Sequence, residues 1–324
     1  MIDAIPIIDI GDIDQTTGAG IESIAQEIRD AYSTVGFAYI VNHGIDPTLI
    51  DELFQASAEF HALPRAAKMA IELNALHRGF IPINTSTDKN SKLAVVTKPN
   101  QSESFIMMRE ADARDPGVRA GDYLAGPNQW PEELPGFRTT VTAYHEALTQ
   151  LGHKVCRAIA LALRTDAEAF SAAFAPPTTF LRLLHYPPQP PDPANDIYGS
   201  APHTDFGCIT ILAQDTIGGL QVRNAAGSWI DAPHMPDSFV MNVGDMLHRW
   251  SNGQLLSTPH RVVNRSGKHR YACPFFFDPD VTAEVAPLAS CITAERRRRF
   301  PAIVYGDFLR AELQAGYEKH AATI

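Results

Sequence analysis

Six short β-type runs in the second half of the chain limit its fold more than any other feature. They cover residues 180–186, 203–212, 219–222, 238–243, 260–263 and 269–277, and clusters of Gly, Pro and Asn separate them. Many short strands divided by turn residues are typical of a β-sandwich or barrel, whereas a parallel α/β sheet alternates its strands with long helices. We therefore predict a β-rich core over residues 178–285.

Helical patterns precede and follow this β region. Residues 6–10 and 36–41 resemble short strands, but the N-terminal part otherwise shows helical spacing of apolar residues. Two segments carry the clearest helical faces: Ile21, Ile24, Ala25, Ile28, Ala31 and Tyr32 in the first, and Val141, Tyr144, Leu148, Leu151, Val155 and Ile159 in the second. We predict an N-terminal region over residues 1–120, a linker and a long helix that packs on the barrel over 121–177, and a helical tail over 286–324.

The charge balance and the cysteines restrict partners and location. The chain has 27 basic and 37 acidic residues, for a net charge of −10, whereas nucleic acids and anionic membranes favour a basic surface. No stretch approaches the roughly 18 apolar residues of a membrane span, and no signal-peptide pattern opens the chain. The four cysteines form no Cys-x-x-Cys pair, which fits free thiols in a reducing compartment. We predict a cytoplasmic protein that acts on a small molecule and binds neither nucleic acid nor membrane, with its oligomeric state left open.

The motif His203-Thr204-Asp205 predicts a metal site. Side chains two residues apart on a strand point to the same side, so the imidazole and the carboxylate project together. A strand-rich stretch then lets His260 return from a different strand. Two imidazoles and one carboxylate form the facial triad of non-haem Fe(II) oxygenases, which leaves positions open for O2 and a co-substrate.

Arg270 lies inside the last β-type run and predicts an anion site. The turn at residues 265–268 predicts that this run forms a hairpin with the run before it. A guanidinium that faces a barrel interior is costly unless it meets an anion, and planar bidentate binding of a carboxylate is the usual solution. Tyr186, at the end of the first run, is a candidate to add a hydroxyl to this site.

Strand parity also gives two candidates for a substrate pocket. Arg182 shares a strand face with Tyr186, and Phe276 shares one with Arg270, provided that Pro274 leaves the register intact. An inward-facing Arg182 would suit a substrate with an anionic or polar group.

Several motifs, in the same order along nearly the whole chain, resemble the isopenicillin N synthase-like branch of the 2-oxoglutarate/Fe(II)-dependent dioxygenases. The N-terminal part carries Ile5-Pro6-Ile7-Ile8-Asp9 and Asn42-His43-Gly44. The second half carries Tyr186-Pro187-Pro188, His203-Thr204-Asp205, Gly218-Gly219-Leu220-Gln221-Val222, Asn242-Val243-Gly244-Asp245, Ser251-Asn252-Gly253 and His260-Arg261-Val262.

The resemblance implies a mainly β fold with α: a double-stranded β-helix (jelly roll) over residues 178–285, a helical N-terminal region and a C-terminal helix. It implies that His203, Asp205 and His260 hold Fe(II). It also implies that Arg270 and Tyr186 hold the distal carboxylate of 2-oxoglutarate. Such an enzyme uses O2 to hydroxylate or desaturate a small molecule and releases succinate and CO2.

One departure from the family pattern leaves alternatives open. The family usually has Arg-x-Ser, whereas here the third position is Ala272, on the same strand face as Arg270. The missing hydroxyl suggests as an alternative a 2-oxoglutarate-independent Fe(II) oxidase of the same fold that forms a ring or an alkene. A non-catalytic jelly-roll binding protein is a further alternative, which the intact triad disfavours. A zinc hydrolase is disfavoured because no Glu stands nearby in a His-Glu motif.

Overall fold

The computed structural model describes residues 4–15, 17–88, 96–188, 192 and 195–317. The strands of this part of the chain are β1 (Ile7–Asp9), β2 (Phe37–Val41), β3 (Gly79–Ile81), β4 (Glu103–Met108), β5 (Thr178–Tyr186), β6 (Ser200–His203), β7 (Ile209–Gln214), β8 (Leu220–Arg223), β9 (Trp229–Asp231), β10 (Ser238–Val243), β11 (His260–Val262), β12 (Arg270–Asp278), β13 (Glu284–Val285) and β14 (Ile303–Val304). Its helices are α1 (Ala19–Thr34), α2 (Pro47–Ala62), α3 (Arg65–Ala70), α4 (Pro116–Ala120), α5 (Phe137–Ala162), α6 (Asp245–Trp250) and α7 (Tyr305–Gly316).

Two sheets form the β core. Eight strands make the larger sheet, in the order β1-β2-β10-β7-β12-β5-β4-β3, and four make the smaller one, in the order β6-β11-β8-β9. One buried apolar cluster contains Leu184, Ala272 and Val240 of the large sheet together with Val222 and Val262 of the small sheet. Burial of apolar side chains between two sheets is the main stabilising contribution in such a core. This arrangement confirms the predicted mainly β jelly roll with added helices.

The N-terminal region extends the large sheet at both edges. Strand β2 pairs with β10 in antiparallel fashion, and β1 continues outward from it. On the other side β4 pairs with β5, and β3 follows. The strands that carry Tyr186 and Arg270 are therefore interior to the sheet, where neighbours on both sides fix their positions.

Two amphipathic helices, α1 and α5, cover part of this core. All six apolar positions predicted to form one face are buried in α1, and all six predicted in α5 are buried as well. Helix α2 begins at Pro47, and the Asp46 side chain accepts a hydrogen bond of 2.8 Å from the Thr48 amide, which satisfies one of the free N–H groups at a helix start. No helix in the described part of the chain is both long and apolar enough to cross a membrane.

The predicted hairpin around residues 265–268 is wrong. Strand β11 pairs with β6 and β8 in the small sheet, whereas β12 pairs with β5 and β7 in the large one. The intervening segment therefore crosses from one sheet to the other. The turn residues correctly predicted that the chain changes direction, but they did not specify which strand β12 pairs with.

Three further differences concern element boundaries. The run over residues 203–212 forms two strands, β6 and β7, because the chain turns between them. Strands β3, β4, β9, β13 and β14 were not predicted. Within the described part of the tail, α-helix covers only Tyr305–Gly316. Residues 296–299, which are all arginines, lie outside any helix. The buried Asn252 side chain donates to the Arg297 carbonyl and accepts from the Arg299 amide.

Candidate active site

Three side chains predicted to hold a metal come together at one end of the two sheets. His260 begins β11 and lies directly opposite His203, the last residue of β6. Asp205 follows in the turn after β6, and its Oδ1 lies 3.8 Å from His203 Nε2 and 3.6 Å from His260 Nε2. All three ligand atoms lie within 4.8 Å of one another. Three ligand atoms this close together could face one divalent cation.

Hydrogen bonds orient both imidazoles toward the centre of this triangle. The Nδ1–H of His203 donates to the Ala201 carbonyl at 2.7 Å, and the Nδ1–H of His260 donates to the Thr258 carbonyl at 3.2 Å. A backbone carbonyl can only accept, so each ring carries its proton on Nδ1 and presents a lone pair on Nε2. This is the tautomer that a metal ligand needs.

The Asp205 carboxylate is oriented in the same way. Its Oδ2 accepts hydrogen bonds from Thr210 Oγ1 at 2.5 Å and from Asn242 Nδ2 at 2.6 Å. These two donors occupy one oxygen and leave Oδ1 facing the imidazoles. Burial alone would raise the pKa of Asp205, but His260, His203 and the two hydrogen bonds lower it below its usual value.

Burial keeps His260 neutral. It lowers the pKa of His260 to about 4, and the neighbouring His203 acts in the same direction. Near neutral pH the site therefore offers an ionised carboxylate and a neutral imidazole on His260, the protonation states that bind a divalent cation.

Arg270 and Tyr186 lie at paired positions of β12 and β5. The guanidinium stands 4.7 Å from the Tyr186 ring centroid, and its Nε donates to the Gly218 carbonyl. Arg270 is only 1% exposed, yet its Nη1 has no hydrogen-bond partner among the described residues. A buried guanidinium nitrogen without a partner is costly, so this atom fits a site for the carboxylate of a bound acid.

The two predicted pocket residues line one cavity together with His203 and Asp205. Its volume is about 450 Å3, and Arg182 and Phe276 lie in its wall. Pro274 does not disturb the register, because β12 and β5 keep the same pairing on either side of it. Arg182 donates from Nε to Ser104 Oγ at 2.8 Å and from Nη1 to the Tyr317 hydroxyl at 3.4 Å.

Several residues around the site were not identified from the sequence. Thr210 and Asn242 bind Asp205, although Asn242 stands in a motif that carried the family resemblance. Helix α7 supplies an apolar wall of the cavity through Phe308, Leu309 and Leu313. Asn242 had a sequence signal in its motif, whereas the contribution of α7 depends on the packing of distant segments and had none.

Two family profiles match the chain. The profile described as the non-haem dioxygenase in morphine synthesis N-terminal matches residues 5–133, and that of the 2OG-Fe(II) oxygenase superfamily matches residues 177–279.

Individual relatives and solved structures agree with these profiles. The 2-oxoglutarate-Fe(II) type oxidoreductase hxnY of Emericella nidulans is 34% identical over 98% of this chain and 91% of its own length. Homoarginine-6-hydroxylase 2-ODD-C23.1 of Arabidopsis thaliana is 34% identical over 97% of this chain and 98% of its own. The crystal structure of a full-length Neurospora crassa protein in complex with alpha-KG and thymine superposes with a TM-score of 0.82 at 29% identity, covering 99% of this chain and 97% of that one. The chain is therefore a member of the non-haem Fe(II)- and 2-oxoglutarate-dependent dioxygenases.

Proposed function

We propose that His203, Asp205 and His260 hold the Fe(II) of this dioxygenase, and that Arg270 and Tyr186 hold the distal carboxylate of 2-oxoglutarate. When bound, Fe(II) supplies the oxygen-activating chemistry, in which O2 and 2-oxoglutarate are consumed and succinate and CO2 are released. The residues of the chain bind and orient the reactants and exclude water from the site.

The convergence of three oriented ligand atoms carries this proposal. Two imidazole Nε2 atoms and one carboxylate oxygen face a common centre, and the remaining polar atom of each side chain is hydrogen-bonded elsewhere. An imidazole and carboxylate set without thiolate suits Fe(II). The Nη1 of Arg270, which lacks a partner in the described part of the chain, supports the second part of the proposal, since a bound carboxylate would satisfy it.

For the substrate, we propose a small molecule with an anionic or polar group that faces Arg182 and an apolar part that packs on Phe276. Both side chains line the cavity that reaches His203 and Asp205. A relative that binds thymine and another named for homoarginine hydroxylation are compatible with a compact polar substrate. We propose hydroxylation as the outcome, in keeping with the second of these names.

An Fe(II) oxidase that does not use 2-oxoglutarate is the second candidate, and Ala272 is the observation that favours it. Because position 272 is alanine and not serine, a carboxylate bound to Arg270 would lack one hydroxyl donor. Turnover of a substrate with Fe(II) and O2 but without 2-oxoglutarate, and without succinate release, would support this alternative.

Reconstitution without oxygen tests the main proposal. Purified protein should bind one equivalent of Fe(II), and addition of 2-oxoglutarate should produce a charge-transfer absorption band. Asp205→Ala should abolish both Fe(II) binding and the band, and Arg270→Gln should weaken 2-oxoglutarate binding while Fe(II) binding persists. A screen of small polar metabolites, scored by O2-dependent succinate release, would then identify the substrate.

A control variant outside the cavity separates these effects from a general loss of folding. His43 lies in the turn after β2, outside the cavity, and its ring packs against Phe239 with the two centroids 4.2 Å apart. His43→Asn should keep Fe(II) binding and the absorption band. Retention of full Fe(II) affinity in Asp205→Ala would contradict the proposed ligand set.

We also propose a cytoplasmic location for the enzyme, without nucleic-acid or membrane partners. All four cysteines are free and buried, which suits a reducing compartment, and the net charge of −10 opposes binding to polyanions. Fractionation of cells that express a tagged chain would test the location.

A further inference from the structure

A cluster of polar side chains lies on the outer face of the large sheet, directly behind Arg270 and Tyr186. We call it the back-face cluster, and its members are Lys68, Glu103, His185, His269 and Tyr271. Adjacent residues of a strand point to opposite faces, so His185 and Tyr186 emerge on opposite sides of β5. His269 and Tyr271 flank Arg270 in the same way.

The buried end of the back-face cluster is an ion pair. Lys68 Nζ lies 3.0 Å from both carboxylate oxygens of Glu103, and the two side chains are 8% and 14% exposed. His185 Nδ1 donates to Glu103 Oε1 at 2.9 Å. Burial would raise the pKa of Glu103, but these hydrogen bonds from His185 and Lys68 lower it to about 2, so the carboxylate is an acceptor throughout the physiological range.

The outer end of the cluster joins β5 to the start of β12. His185 Nε2 lies 2.8 Å from His269 Nδ1, and the two rings are nearly coplanar, with centroids 5.0 Å apart and an interplanar angle of 16°. The Tyr271 ring stacks on His185, with centroids 4.9 Å apart and an angle of 17°. A chain of hydrogen bonds therefore runs from the interior to the exposed His269.

This chain of hydrogen bonds lies next to Arg270 and Tyr186, the two residues proposed to bind the carboxylate. Register pairs Arg270 with Tyr186 and Tyr271 with His185, and His185 and His269 directly precede the two anchor residues in sequence. A bidentate contact with a carboxylate tolerates displacements of only about 0.5 Å. A hydrogen bond between the preceding residues limits relative movement of the two strand ends.

We propose that the chain of hydrogen bonds from His269 through His185 to Glu103 positions Arg270 and Tyr186 for 2-oxoglutarate. His185 and His269 are positioning residues, because they act through the anchor residues from the opposite face of the sheet. The inference rests on the proposed function, in which Arg270 and Tyr186 bind the co-substrate carboxylate.

Variants of the exposed His269 test the inference with little risk to folding. His269→Leu removes the partner of His185 Nε2 and should raise both the Kd and the KM for 2-oxoglutarate by roughly three- to tenfold, the worth of one hydrogen bond. Its kcat at saturating 2-oxoglutarate, its Fe(II) affinity and its Tm should stay close to those of the unaltered protein. The Kd is read from the anaerobic charge-transfer band, and therefore without turnover.

Two amide variants of His269 show whether the Kd depends on the hydrogen bond to His185 or only on a polar side chain at this position. The side-chain nitrogen of asparagine occupies the place of His269 Nδ1, so His269→Asn should restore the Kd to within twofold. The longer His269→Gln places its amide beyond that position and should resemble His269→Leu. Equal Kd values in all three variants, or a Kd within twofold of normal in His269→Leu, would overturn the inference.

Arg270→Gln distinguishes failure of this inference from failure of the proposed function. If it weakens 2-oxoglutarate binding while His269→Leu does not, only the positioning role is wrong. If Arg270→Gln leaves the Kd unchanged, the proposed anchor is itself wrong and the positioning role falls with it.

Discussion

Ala272 lies beside Arg270 on the inner face of β12, where the family usually carries a serine. Its neighbour across the strand pair is Gln214, whose Nε2 donates to the Ala232 and Pro233 carbonyls. The Gln214 Oε1 is buried and has no hydrogen-bond partner within the described ranges of the chain. A hydroxyl at position 272 would have two candidate acceptors, a carboxylate on Arg270 and this amide oxygen. The affinity of a serine variant for 2-oxoglutarate would depend on whether this hydroxyl donates to the carboxylate or to the amide oxygen.

We expect Ala272→Ser to lower the Kd for 2-oxoglutarate by roughly ten- to a hundredfold, because a hydrogen bond to a charged group is worth about 1.5–3 kcal/mol. Anaerobic titration of the Fe(II)-loaded protein measures this Kd. Ala272→Cys is the matched control, since its side chain has a similar size but only a weak donor, and it should change the Kd little. An unchanged Kd in Ala272→Ser would contradict this expectation.

A variant of Thr210 would test how the Asp205 carboxylate, a proposed metal ligand, is oriented. Thr210→Val keeps the shape of the side chain but removes the hydroxyl that donates to Asp205 Oδ2. Loss of a hydrogen bond that orients a ligand costs roughly 10- to 100-fold in metal affinity, and we expect an increase of this size in the Fe(II) dissociation constant. Thr179→Val serves as control, because its hydroxyl contacts His145 and lies outside the site. A similar loss of Fe(II) affinity in both variants would indicate general destabilisation.

At the scale of whole elements, the packing of α5 on β12 depends on a glycine. A Cβ at Gly152 would lie 2.6–3.0 Å from ring atoms of the buried Phe277. Gly152→Ala should therefore push the helix from the sheet and lower the free energy of unfolding by about 1–3 kcal/mol, as measured by urea denaturation. At Gly136, just before α5, a Cβ would have no atom of the described residues within 4 Å. Gly136→Ala should be close to neutral, and equal losses in the two variants would refute the packing argument.

Local patterns predicted the two long amphipathic helices and most strands of the β core, but they missed β3 and β4 and did not indicate which strands pair. Helical periodicity predicted the buried faces of α1 and α5. The short motif at residues 203–205, together with the order of motifs shared with the family, predicted that His203, Asp205 and His260 come together. The pairing of β11 with the small sheet did not follow, because strands are joined by backbone hydrogen bonds that carry no side-chain signature. The wall supplied by α7 was missed for a related reason, since contacts between distant segments leave no local pattern.

At the scale of the whole molecule, a buried carboxyl links stability to pH. Asp278 ends β12, where its Oδ1 accepts from the Cys208 amide and its Oδ2 from the Tyr305 hydroxyl. Burial raises the pKa of Asp278 to about 7, although these two hydrogen bonds oppose the shift and nearby Asp205 adds to it. The ordinary value is 3.8, so between about pH 4 and pH 7 the folded protein holds a proton that the unfolded chain has released.

The contribution of Asp278 to stability should therefore fall as the pH rises through this window, because folding above it buries a charge. Asp278→Asn remains neutral at every pH, so its free energy of unfolding relative to the unaltered protein should increase from about pH 4 to about pH 7 and then level off. The increase should be on the order of 3 kcal/mol. Urea denaturation of the chelator-treated protein at pH 5, 6 and 8 measures it. The lowered pKa values of His61, His145 and His260 also affect stability within this window, but both proteins share these histidines, so their effect cancels in the difference. A constant difference between the two proteins across these three pH values would show that Asp278 does not titrate there.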